Sequence, residues 1–157
     1  MLYTDRTVKA MNLMFERHKD QRDKLGLPYV FHPFHVAEQM DDESSTVVAL
    51  LHDIVEDTNT TFEELEQMGF TEEELTALHL LTHEEGVDYF DYIKKIATNP
   101  LATKVKLADL EHNMDPTRIK EMTEADIQRR EKYKKAYFYL LEKENQEEIE
   151  EEKQEQR

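Results

Sequence analysis

The scarcity of residues that interrupt helices constrains the fold of this chain most strongly. Among 157 residues there are only 3 Gly and 4 Pro. Stretches of alternating apolar and polar residues, which are typical of strands, are almost absent, and residues that favour helices are abundant. At roughly 100 to 200 residues per domain, the length predicts one domain. The sequence therefore predicts an all-α bundle without a second full domain.

Capping signals indicate where several helices begin and end. Thr61 and Thr71 precede a Glu by three residues, and Thr123 precedes an Asp by three, which is the spacing of a capping box or its Asp variant. Each threonine is therefore predicted to cap a helix. Gly69 and Gly86 are predicted to close two helices, because glycine adopts the left-handed backbone conformation common at helix ends.

Apolar periodicity predicts which helix faces point inward. The segment from Thr46 to Glu56 is apolar enough to predict one helix that is buried on all sides, with Ser44 or Ser45 as its cap. A first helix beginning near Thr4 or Asp5 has an apolar face formed by Val8, Met11, Phe15 and His18. The last helix is predicted to turn inward Ile127, Tyr133, Ala136, Tyr137 and Leu140.

Acidic residues are in large excess and are concentrated at the end of the chain. The sequence has 36 Asp and Glu against 20 Lys and Arg, a net charge of -16, which disfavours binding to nucleic acids and to anionic membranes. Residues 142–157 contain 8 Glu, 3 basic residues and one aliphatic residue, Ile149. We expect a domain over 1–141 and a solvated helical or frayed tail over 142–157. A coiled-coil role for the tail stays open, although it lacks a heptad seam.

The sequence contains no targeting or membrane-spanning segment. No window approaches the roughly 18 consecutive apolar residues of a membrane span, and residues 1–10 lack a hydrophobic signal core. We therefore expect a soluble cytoplasmic protein. The chain has no Cys, so disulfides and thiolate chemistry are excluded, and any metal must be bound by His, Asp and Glu.

A histidine and an aspartate lie inside the most apolar segment. His52 and Asp53 are flanked by aliphatic residues, and buried polar groups need partners that offset their desolvation. Glu56 lies four residues after His52, and Asp57 lies four residues after Asp53. On a helix, both carboxylates therefore project toward the same region one turn later. For the His52–Asp53 pair alone, an ordinary hydrogen-bonded core pair is the simpler interpretation.

Two further residues favour a metal site over an ordinary core pair. His32 and Asp109, added to the His52–Asp53 pair, make two imidazoles and two carboxylates, which suit a divalent transition metal with open coordination positions. Glu56 and Asp57 would then orient or deprotonate a water molecule.

The order and spacing of these motifs resemble those of the HD-domain metal-dependent phosphohydrolases. Within them, the chain is similar to the alarmone (ppGpp) hydrolase domain of RelA/SpoT-type proteins and to their small single-domain relatives. The matching stretches cover about residues 10–118. The most specific are His52-Asp53-x-x-Glu56-Asp57-Thr58 and Lys106-Leu107-Ala108-Asp109-x-x-His112-Asn113.

The resemblance implies a compact HD-domain helical bundle and a reaction. In the family, pyrophosphate is removed from the 3′ position of guanosine tetra- or pentaphosphate by water attack on phosphorus. One divalent ion, usually Mn²⁺, would be bound by four residues: His32, His52, Asp53 and Asp109. Glu56 and Asp57 would activate the water, and Asn113 would contact the substrate.

Other substrate contacts are expected near the basic stretch from Arg17 to Lys24. The candidates are Arg22, Lys24, Tyr29 and Lys106. The chain departs from the family pattern around the nucleotide at Asp20, Asp23 and Asp115. Two alternatives therefore stay open: a phosphohydrolase for another nucleotide or phosphate ester, and a non-catalytic protein that binds or senses a nucleotide.

Overall fold

The chain forms nine α-helices and one 3₁₀ turn in a computed structural model that describes residues 1–157. The predicted all-α fold is confirmed, and the last helix is by far the longest. In chain order the elements are α1 (Asp5–His18), α2 (Phe31–Glu38), α3 (Glu43–Leu51), α4 (Ile54–Asp57), α5 (Phe62–Gln67), α6 (Glu72–Leu81), α7 (Tyr89–Ile96), α8 (Pro100–Asn113), the turn Pro116–Arg118, and α9 (Glu124–Glu155).

The predicted caps lie where the local signals indicated. The side chains of Thr61, Thr71 and Thr123 each accept a hydrogen bond from the backbone amide three residues later. Gly69 follows α5 with φ +89°, as expected for a helix-closing glycine. The prediction for Gly86 is wrong, because α6 already ends at Leu81 and this glycine lies in the loop that follows.

Helix α3 forms the centre of the core. Its residues from Ser45 to Leu51 are all buried, and the helix packs against α1, α2, α6 and α8. The prediction of burial on all sides is therefore confirmed as far as Leu51, whereas Val55 is half-buried and Glu56 is exposed. Its start differs from the prediction, since Asp42 rather than a serine is the cap and accepts a hydrogen bond from the amide of Ser45 at 2.8 Å.

The apolar segment is two helices rather than one. Helix α3 ends at Leu51 and α4 begins at Ile54, with His52 and Asp53 in the turn between them. The carbonyl of Ala49, which in a continuous helix would accept a hydrogen bond from the amide of residue 53, instead accepts one from His52 Nδ1 at 2.6 Å. The His52 side chain thus replaces a backbone amide as the hydrogen-bond partner of this carbonyl. The helix is interrupted at the two residues that were predicted to be metal ligands.

The inward faces of the first and last helices differ in part from the predictions. On α1, Val8 and Phe15 are exposed, and the buried stripe is instead Thr7, Ala10, Leu13, Met14 and His18. Helix α1 packs against α3, and of the predicted face only His18 is fully buried. On α9, Ala136 and Leu140 are buried as predicted, whereas Ile127 and Phe138 are exposed.

Helix α9 packs against α7 and α8 through its first half and continues without a break beyond Leu141. Most of the residues after Leu141 are exposed to solvent. None of the helices combines the length and the apolar character needed to cross a membrane.

Candidate metal centre and adjoining cationic cavity

Four predicted ligands from three parts of the fold converge on one point. His32 comes from α2, His52 and Asp53 from the turn between α3 and α4, and Asp109 from α8. Their donor atoms lie close together: His32 Nε2 is 2.8 Å from Asp109 Oδ1, and His52 Nε2 is 3.1 Å from Asp53 Oδ2 and 3.3 Å from Asp109 Oδ1. The two histidines and Asp109 are buried. This is the composition expected of a transition-metal site.

The tautomer of His52 tests whether a cation fits this cluster. Its Nδ1 faces the carbonyl oxygen of Ala49 and must therefore carry a hydrogen. In the neutral ring, Nε2 then presents a lone pair to two carboxylates, and this buried atom has no hydrogen-bond partner. Because a lone pair facing carboxylates is repulsive and a metal ion would be bound by all of them, the four residues fit a divalent ion.

The pKa shifts in the cluster have the same electrostatic cause. Burial acts to lower the pKa of His52, but the carboxylates of Asp53 and Asp109 raise it well above its usual range. Burial acts to raise the pKa of Asp109, but Lys106 and His52 hold it well below its usual range. The carboxylates thus stay ionised and favour positive charge between them.

Asp109 is held in place by two neighbours on its own helix. Lys106 Nζ donates to Oδ2 at 2.9 Å, and Asn113 Nδ2 donates to Oδ1 at 3.0 Å. Lys106 is largely buried and lies over the ring of Tyr92. The ammonium group therefore faces the carboxylate of Asp109.

A second histidine orients His32. The Nδ1 atoms of His32 and His112 are 2.7 Å apart, and the ring of His35 stacks on His112 with centroids 4.0 Å apart. Burial and nearby Arg118 lower the pKa of His112 to about 3, so this ring is neutral and can accept a hydrogen bond from His32 Nδ1. That bond leaves His32 Nε2 free to act as a ligand.

The predicted water-activating residues form an acidic cluster beside the donors. Carboxylate oxygens of Asp53, Glu56 and Asp57 lie within 4.8 Å of one another. Burial, with the neighbouring Asp53 and Glu56 carboxylates, raises the pKa of Asp57 to about 6. Glu56 Oε1 accepts a hydrogen bond from the backbone amide of His83 at 2.7 Å. This contact joins α4 to the loop after α6, and no sequence spacing indicates it.

A cavity of about 470 Å³ adjoins the donor cluster. Tyr29 and Asn113 belong to both regions, because both line the cavity while Tyr29 donates to Asp53 and Asn113 donates to Asp109. The lining residues are Arg22, Asp23, Lys24, Tyr29, Asn113, Arg118, Ile119, Asp126, Arg129, Arg130 and Tyr133.

Most of the predicted substrate contacts line this cavity. Arg22, Lys24, Tyr29 and Asn113 do so, whereas Lys106 does not. Two other cations of the predicted basic stretch are engaged elsewhere, since Arg17 pairs with Glu64 and Lys19 with Glu16.

Three arginines in the cavity wall were missed from the sequence. They are Arg118, which follows α8, and Arg129 and Arg130 on α9. A signal was present, because residues 129–135 contain five basic residues in an otherwise acidic chain. The five cations of the cavity outnumber its two carboxylates, so the local field is positive despite the net charge of -16.

Comparisons with known proteins find relatives named as ppGpp 3′-pyrophosphohydrolases and others named as GTP pyrophosphokinases. The chain is 32% identical over 112 residues to a guanosine-3′,5′-bis(diphosphate) 3′-pyrophosphohydrolase of Aquifex aeolicus, a match covering 64% of this chain and 16% of that protein. It is 44% identical over 69 residues to the 3′-pyrophosphohydrolase MESH1 of Danio rerio, covering 39% of this chain and 38% of the relative. The chain thus spans well under half the length of these relatives. No family model matches the chain.

The fold also matches a solved structure. That structure, described as a metazoan ortholog of SpoT that hydrolyzes ppGpp, superposes with a TM-score of 0.75 over 90% of this chain and 88% of the other at 24% identity. The architecture is therefore shared over nearly the whole of both chains.

Proposed function

Because the chain is an HD-type relative of the ppGpp 3′-pyrophosphohydrolases, we propose that it is a metal-dependent phosphohydrolase that releases pyrophosphate from the 3′ position of guanosine 3′,5′-bis(diphosphate). One observation carries this proposal: four donor atoms suited to a metal lie next to a cavity in which five cations outnumber two carboxylates. Such a pair of sites brings phosphate groups to a hydrolytic centre.

The donor residues define the metal site of the proposal. His32, His52, Asp53 and Asp109 would hold one divalent ion, and we propose Mn²⁺, the ion that the resemblance to the alarmone hydrolases implies. When bound, such an ion supplies Lewis acidity that polarises a phosphoryl oxygen and favours deprotonation of water.

The acidic cluster supplies the proton acceptor. Glu56 is held by the amide of His83, and the raised pKa of Asp57, about 6, suits a group that takes and returns a proton near neutral pH. One of these carboxylates accepts a proton from water as the oxygen attacks the phosphorus bonded to the 3′ oxygen. The bond to the 3′ oxygen then breaks, pyrophosphate leaves, and the 3′ oxygen takes up a proton.

The cavity residues bind and orient the nucleotide. Arg22, Lys24 and the three missed arginines provide cations for the diphosphate groups. Tyr29 stays protonated, since burial and Asp53 raise its pKa, and it provides an aromatic face beside the centre. Asn113 spans the space between Asp109 and the cavity. The assignment of Lys106 as a substrate contact stays a prediction, because its ammonium is committed to Asp109.

The departures from the family pattern contribute to loop structure. Asp23 Oδ1 accepts hydrogen bonds from the amides of Leu25 and Leu27 at 2.9 Å each, and Asp115 Oδ1 accepts one from the amide of Thr117 at 2.9 Å. These carboxylates therefore shape the loops at the rim of the cavity. This local role accounts for both carboxylates without a change of substrate. A cytoplasmic location, where such nucleotides occur, remains part of the proposal.

A product assay tests the function. The protein, loaded with Mn²⁺ after removal of metals with a chelator, is incubated with guanosine tetraphosphate, and pyrophosphate and guanosine diphosphate are measured. We expect equal amounts of both products and no reaction with the chelator present. Hydrolysis of other phosphate esters alone would assign a different substrate, and binding without turnover in any divalent metal would assign a sensing role.

A further inference from the structure

The solvent side of α9 carries two exposed apolar side chains on one stripe. Phe138 is 55% exposed and Ile149 is 52% exposed. They are separated by eleven residues, which at 100° per residue is about 20° from three full turns. Together with Lys135 and Glu152 they follow heptad spacing, and all four positions are exposed.

The same helix is divided into two regions of opposite charge. Residues 129–135 contain five basic residues and one Glu, whereas residues 142–157 contain 8 Glu and 3 basic residues. Both regions lie on one continuous helix, so the acidic region cannot fold back onto the basic one. A second molecule can bring its acidic region alongside the basic one, and its basic region alongside the acidic one.

We propose that α9 is a self-association surface on which a second copy of this chain pairs its own α9 in antiparallel orientation. In the register that opposes Phe138 and Ile149, Lys135 lies opposite Glu152 and Lys134 lies beside Glu155. Two-fold symmetry repeats each of these contacts. A parallel pair is disfavoured, because it would place the acidic regions side by side.

The surface beside Phe138 has the shape and charge for the partner's tail. Phe90 of α7 and Phe138 form the apolar part of a groove of about 570 Å³, and its cations are Lys132, Lys134 and Lys135. Lys135 lies over the ring of Phe90, with Nζ 4.5 Å from the centroid. The groove thus offers an apolar seat for Ile149 with cations around it for the adjacent glutamates.

The size of the contact sets its strength. Pairing over positions 131–156 gives an overlap of about 38 Å, but only Phe138 and Ile149 are apolar within the stripe. Lys132 and Lys153 form one like-charge pair across the interface. We therefore expect a reversible dimer whose register and orientation are set mainly by charge.

Charge reversal provides the main test. Dimer formation is measured by sedimentation velocity on the full chain, at concentrations up to the millimolar range. The unmodified chain is expected to form a dimer. Lys134→Glu with Lys135→Glu, and separately Glu152→Lys with Glu155→Lys, should each raise the dimer dissociation constant at least about tenfold. Mixing the two variants should restore association, since every reversed charge then meets its opposite. A monomer at all concentrations, or no recovery in the mixture, would overturn the proposal.

Cross-linking tests the orientation, and the absence of native cysteine makes it direct. Lys135→Cys mixed with Glu152→Cys should form a disulfide-linked heterodimer under mild oxidation. Either variant alone should remain largely uncross-linked, because identical positions in the antiparallel pair are about 26 Å apart along the helix. Efficient cross-linking of each variant with itself would indicate a parallel pair and contradict the proposal.

Discussion

The two sides of the candidate site are built in opposite ways. The donor cluster consists of largely buried side chains on α2, α8 and the turn after α3, and its donor atoms contact one another at 2.8 to 3.3 Å. The cavity wall consists of long cationic side chains from the loop before α2, the turn after α8, and α9. Burial fixes geometry in the first region, whereas the second depends on flexible side chains that solvent reaches.

This contrast separates chemistry from recognition. A displaced ligand in the cluster leaves buried charges unpaired, so the cluster should tolerate almost no substitution. A lost cation in the cavity removes one of five, and water can replace part of its interaction. Substitutions in the cluster should therefore affect metal binding, turnover and stability together, and substitutions in the cavity should affect mainly substrate affinity.

The largest effect is expected for Asp109→Ala. The substitution removes a predicted ligand and leaves buried Lys106 without its carboxylate, so we expect undetectable Mn²⁺ binding by calorimetry and a loss of about 3–5 kcal/mol in the free energy of unfolding. Asp91→Ala, at an exposed position on α7, is the matched control. Unchanged Mn²⁺ affinity in Asp109→Ala would show that the cluster is not the metal site.

A large but more selective effect is expected for Glu56→Gln. Because this carboxylate is outside the four donors, Mn²⁺ affinity should be retained while kcat falls by about 10²–10⁴-fold. Exposed Glu63→Gln is the control. If turnover is unchanged, Glu56 is not the proton acceptor and the role passes to Asp57.

A moderate effect is expected for His112→Phe. Phenylalanine preserves the ring that stacks on His35 but cannot accept a hydrogen bond from His32, so Mn²⁺ affinity should fall by about 10–100-fold. His79→Phe alters a histidine that stacks on Phe62, away from the cluster, and should leave the affinity unchanged. Equal affinities in the two variants would argue against a positioning role for His112.

The smallest effect is expected in the cavity wall. Arg129→Gln removes one of five cations, so KM for guanosine tetraphosphate should rise by about tenfold with kcat nearly unchanged. Exposed Lys120→Gln serves as the control. A fall in kcat that matches the loss after substitutions in the donor cluster would remove the distinction between the two regions.

The sequence by itself determined what depends on local interactions. Helix caps such as Thr61 and Thr123 form within one turn, so their spacing alone predicts them. The burial of α3 also followed from composition, because the five consecutive apolar residues from Val47 to Leu51 are most stable in the core. The donor residues were named from motif order, and the fold brings them together.

Only the tertiary structure decided what depends on how helices lie against each other. The inward face of α1 is set by its packing against α3, which buries Ala10, Leu13 and Met14 and leaves Val8 and Phe15 exposed. The arginines of α9 reach the cavity because α9 crosses α7 and α8 beside the loop before α2. The amide of His83 donates a hydrogen bond to Glu56, which lies 27 residues earlier in the sequence. The physical reason is that packing optimises burial and charge over the whole molecule, whereas sequence spacing reports only neighbours along one helix.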